Sequence, residues 1–304
     1  MISLKSRIVY TASALFVISL LASLSLSSVT AHNFSPSESA SFLSLVDETK
    51  SALSSIEVDI SSDTDLALQQ AQYARALFTD NDIRELKERN QRVASEIVEV
   101  LDSLQHLSSQ NVGDNITRLS NLLSEAILVR IDKDQLSNST VHALAFADDI
   151  DKILEQYTLA IKGANTSKTM NMDKSGMNLS AMKNNTSHSM NMTAKGNDIG
   201  SEIVRKIDSY QRAGALTDIA IDKFNKELKG KSNVTSSLDQ VSMGLEQLKT
   251  SIGNNASTTT IMGLVHGQIH PNLMTAFDLQ LAPTSNQNKG NTSLSMSNMS
   301  KHSM

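Results

Sequence analysis

The sequence lacks cysteine altogether, and this absence removes several kinds of site at once. Its 304 residues also include no Trp, and Gly, Pro, Phe and Tyr number only 12, 3, 7 and 4. Without thiols the chain has no disulfides, thiolate zinc sites or iron–sulfur clusters, and no cysteine nucleophile. The scarcity of aromatic and turn-forming residues argues against a β-sandwich or a β-barrel.

Basic residues are also in the minority. Lys and Arg number 27 against 32 Asp and Glu, a formal net charge of −5. Binding to nucleic acid depends on clustered Lys and Arg, so we expect no nucleic-acid partner. Gly-rich phosphate loops and the G-x-S-x-G and H-E-x-x-H motifs are missing as well. The sequence therefore names no catalytic residue, and it favours a protein that is not an enzyme without excluding catalysis.

The first 31 residues have the pattern of an export signal. Two basic residues, Lys5 and Arg7, precede an apolar stretch, and Val29-Thr30-Ala31 has the small-x-small form of a cleavage site. The alternative is an uncleaved transmembrane anchor, because residues 8–28 are long enough to span a bilayer. We expect an extracellular or cell-surface protein, with membrane attachment only through this segment if it is not cut.

Acceptor sites for N-glycosylation are unusually frequent. The pattern Asn-X-Ser/Thr occurs at Asn33, Asn115, Asn138, Asn165, Asn178, Asn184, Asn185, Asn191, Asn233, Asn255, Asn291 and Asn298. This distribution suggests an exported glycoprotein. The alternative is that Asn- and Ser-rich segments produce such patterns by composition alone.

After the signal the chain divides into four zones. Residues 37–162 show helical periodicity and predict a helical bundle, and residues 198–282 predict a second helical region. Residues 163–197 and 284–304 are low-complexity segments rich in Asn, Ser and Met, which we expect to be disordered. The fold expected is therefore all-α, with one or two antiparallel bundles joined by short turns.

Two finer predictions concern the helices. Ser35 and Pro36 look like the cap and first position of the first helix, and an apolar stripe over residues 83–107 predicts one long helix. Residues 140–161 align with 260–281 at matching apolar positions, which suggests a partial internal repeat.

Methionine has an uneven distribution that packing does not explain. After Met1 no Met occurs for 168 residues, and nine of the remaining twelve then fall in the two low-complexity segments. Candidate metal ligands there are Met170, Met172, Met177, Met182, His188, Met190, Met192, Met296, Met299, His302 and Met304. Thioether sulfur is a soft, neutral donor that prefers Cu(I), and imidazole also accepts Cu(II). The other three, Met243, Met262 and Met274, lie in helical zones and are expected to pack.

These Met/His segments resemble the methionine-rich arms of exported copper-binding proteins. The resemblance covers roughly 45 residues and is compositional. It implies copper capture outside the membrane, with copper as the cofactor and another exported protein as a recipient. The alternative is a glycosylated cell-surface structural or adhesion module, in which the Met-rich segments are spacers.

Three further histidines are candidate metal ligands. His32 becomes the N-terminus if the signal is cut after Ala31, and a terminal amine with its own imidazole can chelate copper. The alternative is that His32 is simply the first residue after the cleavage site. His266 and His270 have the i, i+4 spacing of helix-borne metal ligands. Pro271 biases His270 away from helical geometry, so the alternative is a pair of partly exposed histidines at a helix end.

A short acidic cluster precedes the low-complexity linker. Asp148, Asp149 and Asp151 lie within four residues. Their composition is typical of a solvated helix face, and no functional assignment follows from it.

Overall fold

The computed structural model describes Phe34 and residues 37–106, 111–163 and 202–281. These residues form packed α-helices, and the one β-type pairing among them is an isolated bridge between Phe34 and Leu281. The prediction of an all-α helical bundle is confirmed. The predicted signal, the Met-rich linker from residue 164 onward and the tail of residues 284–304 lie outside the described residues.

The helices before the linker form one consecutive set. They are α1 (Glu38–Asp59), α2 (Thr64–Leu77), α3 (Asp80–Arg89), α4 (Gln91–Leu104), α5 (Val112–Arg130), α6 (Lys133–Leu136) and α7 (Ser139–Lys162). Side-chain caps begin several of them: Ser37, Asp63, Thr79 and Asn138 each accept a hydrogen bond from a first-turn N–H.

The helices after the linker contain two π-helical turns. They are α8 (Ile207–Lys223), which runs into a π-helix at Phe224–Leu228; α9 (Thr235–Gly253); and α10 (Thr258–Leu264), which continues through a second π-helix at Val265–Ile269 into α11 (His270–Phe277). Such single π-turns within α-helices are rare and occur frequently at functional sites.

The hydrophobic core consists of two clusters that meet along α7. One cluster lies among α1 to α5 and includes Val141 and Ala145 of α7, while the other lies among α8 to α11 and includes Ala143 and Phe146. Different faces of α7 thus contact the two clusters. Leu144, which is partly buried, packs against both clusters, so α7 is fixed between its neighbours.

Two helix boundaries differ from the sequence-based expectation. The cap of α1 is Ser37, whose hydroxyl accepts from the N–H of Ala40, so the helix begins two residues later than predicted. The long helix expected over residues 83–107 is two helices, because Asn90 is extended (φ −154°, ψ 98°) and its side chain caps α4 through the N–H of Val93. Local capping by Asn overrides the continuous apolar stripe.

The proposed repeat pairs α7 with the helix formed by α10 and α11. Ile153 and Leu273 occupy corresponding positions and are both fully buried. His270 stands where α7 has Ile150, and both of these side chains are also fully buried. The repeat itself stays a prediction.

Among the described helices, none is both long enough and apolar enough to cross a membrane.

Candidate metal centre

The site is built on the π-turn of Val265–Ile269, which contains His266 and is followed directly by His270. The N–H of His270 donates to the carbonyl of Val265, five residues earlier, and His270 keeps helical geometry (φ −59°, ψ −48°). A proline inside an α-helix crowds the carbonyl four residues before it and lacks the N–H that would bond to it. The π-turn directly before Pro271 accommodates the proline ring and its missing N–H, because the backbone hydrogen bonds there already join residues five positions apart instead of four. The expected helix end at Pro271 is therefore wrong: the helix continues to Phe277.

His266 and His270 lie side by side against the middle of α7. Their ring centroids are 5.4 Å apart, and His270 Nε2 is 3.7 Å from Asp151 Oδ1. One ligand atom from each of the three residues lies within 4.8 Å of the other two. The spacing of the histidines predicted their proximity, whereas the third member comes from a helix more than a hundred residues earlier in the chain.

The cluster is largely withdrawn from solvent. His270 is fully buried, and the Asp151 side chain is 12% exposed. The expectation of two partly exposed histidines at a helix end is thus wrong for His270, while His266 is half-buried.

Electrostatics around Asp151 favour the arrival of a cation. Burial, together with the nearby carboxylates of Asp148 and Glu155, raises the pKa of Asp151 to about 8. Much of Asp151 is therefore protonated at neutral pH. A bound divalent cation would offset both effects and favour the ionised carboxylate.

Phe34 covers one side of His270. Its ring meets the His270 ring edge-on, at 86° and 5.4 Å between centroids, and its backbone pairs with Leu281. Phe34 is itself buried, with 8% of its surface exposed. Phe34 is thereby held beside the cluster.

The donor set indicates which metals the cluster suits. Two imidazole nitrogens and one carboxylate oxygen are typical ligands of Cu(II), Zn(II) and other divalent transition metals, whereas Ca²⁺ and Mg²⁺ prefer sites made only of oxygen. Ligand atoms around such an ion lie about 3–3.5 Å apart, so the three side chains need only a small inward adjustment. The residues present fit a transition-metal ion with further coordination positions left open.

A second set of buried charged side chains lies nearby, and the ammonium group of Lys223 is its cation. Lys223 is paired with Asp47 and with Asp149, whose Oδ2 is 2.7 Å from the ammonium nitrogen. Burial raises the pKa of Asp149 to about 6, although the ammonium opposes the shift. Because the ammonium satisfies the carboxylates, we interpret this group as a support for the packing of α1, α7 and α8.

Asp148, Asp149 and Asp151 are not the solvated helix face that their composition suggested. Asp149 is fully buried against Lys223, and Asp151 lies at the histidine pair. No local pattern in the sequence indicated that Asp151 lies at the histidine pair.

The structure does not describe the other ligands predicted from the sequence. His32 and every candidate in the two Met-rich segments lie outside the described residues. Of the three methionines expected to pack, Met262 and Met274 lie against the core, but Met243 is 51% exposed, so that prediction was wrong for Met243.

Comparison with protein-family models, with curated proteins and with solved structures yields no match for this chain. The assignment of a function therefore depends on the residues themselves.

Proposed function

We propose that this chain is an exported copper-binding protein with two kinds of site. Asp151, His266 and His270 hold Cu(II), and the Met/His segments of residues 163–197 and 284–304 hold Cu(I). The observation that carries the proposal is the convergence of two imidazoles and a carboxylate on one largely buried point between α7 and the π-turn.

The two donor sets suit different oxidation states of one metal. Nitrogen and carboxylate oxygen accept Cu(II), whereas thioether sulfur prefers Cu(I). Each site takes the state that its donors favour, and the metal leaves by ligand exchange with a recipient. Thioethers need no deprotonation and form no disulfides, which supports their use outside the cell, where the export signal would direct the chain.

Copper titration of the cleaved chain, residues 32–304, tests both parts. Cu(II) binding should fall by about one equivalent in Asp151→Asn, which keeps the size of the side chain, and in the double variant His266→Ala/His270→Ala. His142→Ala is the matched control, because His142 is also a half-buried helical histidine but its Nε2 lies 2.7 Å from the carbonyl of Leu136. Unchanged Cu(II) binding in Asp151→Asn and in the double variant would overturn the helical site.

Deletion of residues 165–197 and 285–304 tests the Met-rich segments separately. Under reducing conditions this variant should lose most of its Cu(I) capacity and keep its helical circular dichroism. Unchanged Cu(I) stoichiometry would overturn that part of the proposal and favour the alternative of a glycosylated surface module. Elemental analysis of the native protein would identify the metal that it carries.

A further inference from the structure

Four Asn-X-Ser/Thr patterns lie wholly within the described residues, and the structure gives them different surroundings. They begin at Asn115, Asn138, Asn233 and Asn255. An N-linked oligosaccharide is bulky and hydrophilic, so the asparagine that carries it must lie on the surface with its side-chain amide free. The four sites differ in how well they meet this requirement.

Asn233 meets the requirement. It lies in the irregular segment between the first π-helix, which ends at Leu228, and α9, which begins at Thr235. Asn233, Val234 and Thr235 are all exposed, and so are residues 229–231 before them. The start of α9 has no side-chain cap, and within the described parts of the chain no hydrogen bond or ion pair involves the side chain of Asn233. Its amide is therefore available for modification.

The backbone around Asn233 is nevertheless held in place. Ser232 Oγ donates a hydrogen bond of 2.6 Å to the carbonyl of Ala276, and the N–H of Val234 donates to Ser232 Oγ at 3.1 Å. These contacts use the neighbours of Asn233 and leave its own side chain in solvent. A glycan at this position extends from a surface loop without displacing a packed residue.

Two of the other patterns have polar side chains that the fold already uses. Asn115 Nδ2 donates to Ser103 Oγ at 3.1 Å, and Thr117 Oγ1 donates to a backbone carbonyl one turn earlier in α5. Asn138 is exposed, but its Oδ1 caps α7 by accepting from the N–H of Thr140. Neither asparagine has the free side chain that Asn233 has.

Asn255 is the least suited of the four. Its backbone has a positive φ of 53°, and the residue is half-buried with its Oδ1 withdrawn from solvent. The next residue, Ala256, is 7% exposed, and its carbonyl accepts from the hydroxyl of Tyr157. A glycan on Asn255 would have to force its amide out of a packed turn.

We infer that Asn233 carries an N-linked oligosaccharide in the exported protein and that Asn255 stays unmodified. The donor is an oligosaccharide on a lipid-phosphate carrier. The bond between Asn233 Nδ2 and the anomeric carbon forms as the bond from that carbon to the carrier's phosphate oxygen breaks. The phosphate leaves with the bonding electrons, and one amide proton passes to a base of the transferase. The inference shares only the export of the chain with the proposed function, because Asn233 is not a copper ligand.

Mass spectrometry of peptides from the protein made in its native cells tests each asparagine separately. The wild type is compared with Asn233→Gln, Thr235→Ala and Thr235→Ser. Thr235→Ala removes the hydroxyl that the acceptor pattern requires, whereas Thr235→Ser keeps the pattern and is the matched control. We expect a glycan on Asn233 in the wild type and in Thr235→Ser, its complete loss in the other two variants, and an unmodified Asn255 in all four proteins.

A wild-type peptide with an unmodified Asn233, or one with a glycan on Asn255, would overturn the inference. So would a glycan that persists on Asn233 in Thr235→Ala. Copper titration of Asn233→Gln separates this result from the proposed function, because the variant should bind copper as the wild type does. Failure of the wild type to bind copper would overturn the proposed function and leave the glycan result unchanged.

Discussion

At the scale of single residues, Asp151 is a mostly buried carboxyl group whose ionisation lowers the stability of the fold. Its side chain is mostly buried on α7 beside two other acidic residues and faces His270. Keeping a carboxyl group there costs stability whenever it must ionise. An uncharged residue would avoid this cost, so an Asp at this position is consistent with the proposed metal site.

Replacing Asp151 by Asn should therefore stabilise the metal-free protein at alkaline pH. The folded pKa of about 8 lies above the unfolded value of 3.8, so between these values the folded state binds more protons than the unfolded state. The free energy of unfolding of the wild type then falls as pH rises through this window. Asp151→Asn removes the slope, and we expect a gain of about 1–3 kcal/mol near pH 8.5 that disappears near pH 4.

Urea denaturation at several pH values, with chelator present, measures this difference. The same variant should lose the rise in melting temperature that added Cu(II) gives the wild type. A destabilised variant at pH 8.5 would contradict the electrostatic argument.

At the scale of the element, the π-turn of Val265–Ile269 determines where the two imidazoles lie. It packs against α9, where Gly244 faces it without a side chain. An added Cβ at Gly244 would lie 2.8 Å from Cγ1 of Ile269, the residue next to His270. Since Ile269 is fully buried, the π-turn has little room to move away.

We predict that Gly244→Ala destabilises the protein by about 1–3 kcal/mol through overpacking and weakens Cu(II) binding by displacing the π-turn. Gly263→Ala is the control on the adjoining helix α10, because its added Cβ meets no described atom within 4 Å. That variant should be neutral or up to about 1 kcal/mol more stable, since Ala favours the helix. Denaturation and copper titration measure the stability and the Cu(II) affinity of both variants. Equal changes in the two variants would contradict the close approach of Gly244 to Ile269.

At the scale of the whole molecule, α8 joins the helices on either side of the Met-rich linker. Arg212 of α8 donates to Asp208, Gln70 and Gln156 and lies 3.9 Å over the ring of Tyr73. Directly before the first π-helix, Lys223 pairs with carboxylates of α1 and α7. These buried polar contacts position α8 against α1 and α7, the helices before the linker.

Replacing Lys223 by Met should destabilise the fold by about 3–5 kcal/mol at neutral pH, because it leaves the buried carboxylates of Asp47 and Asp149 without their cation. The loss should shrink as pH falls, because without the ammonium the pKa of buried Asp149 rises above its wild-type value of about 6 and a protonated carboxyl needs no counter-charge. Lys226→Met is the matched control: its pair with Asp222 is exposed, and it should change stability by less than about 1 kcal/mol. Thermal unfolding followed by circular dichroism at pH 5 and pH 8 tests both, and equal losses in the two variants would contradict the assigned contribution of the buried pair.

How much of this was predictable differs between the fold and the site. Helical periodicity, capping residues and scarce turn formers predicted the all-α class and most helices, because these signals are local. The break at Asn90 was missed, since one side-chain cap outweighed an unbroken apolar stripe. Of the three residues in the candidate metal cluster, the sequence predicted His266 and His270 as ligands, from their i, i+4 spacing alone.

The sequence by itself determined the composition of the donors: no thiols, a histidine pair on one helix, and methionines concentrated outside the helical zones. Only the tertiary structure decided that Asp151 joins the pair and that Phe34 lies on His270. The physical reason is that both contacts join residues more than a hundred positions apart. The packing of α7 against α10 and α11 sets such distances, and no local pattern in the sequence encodes them.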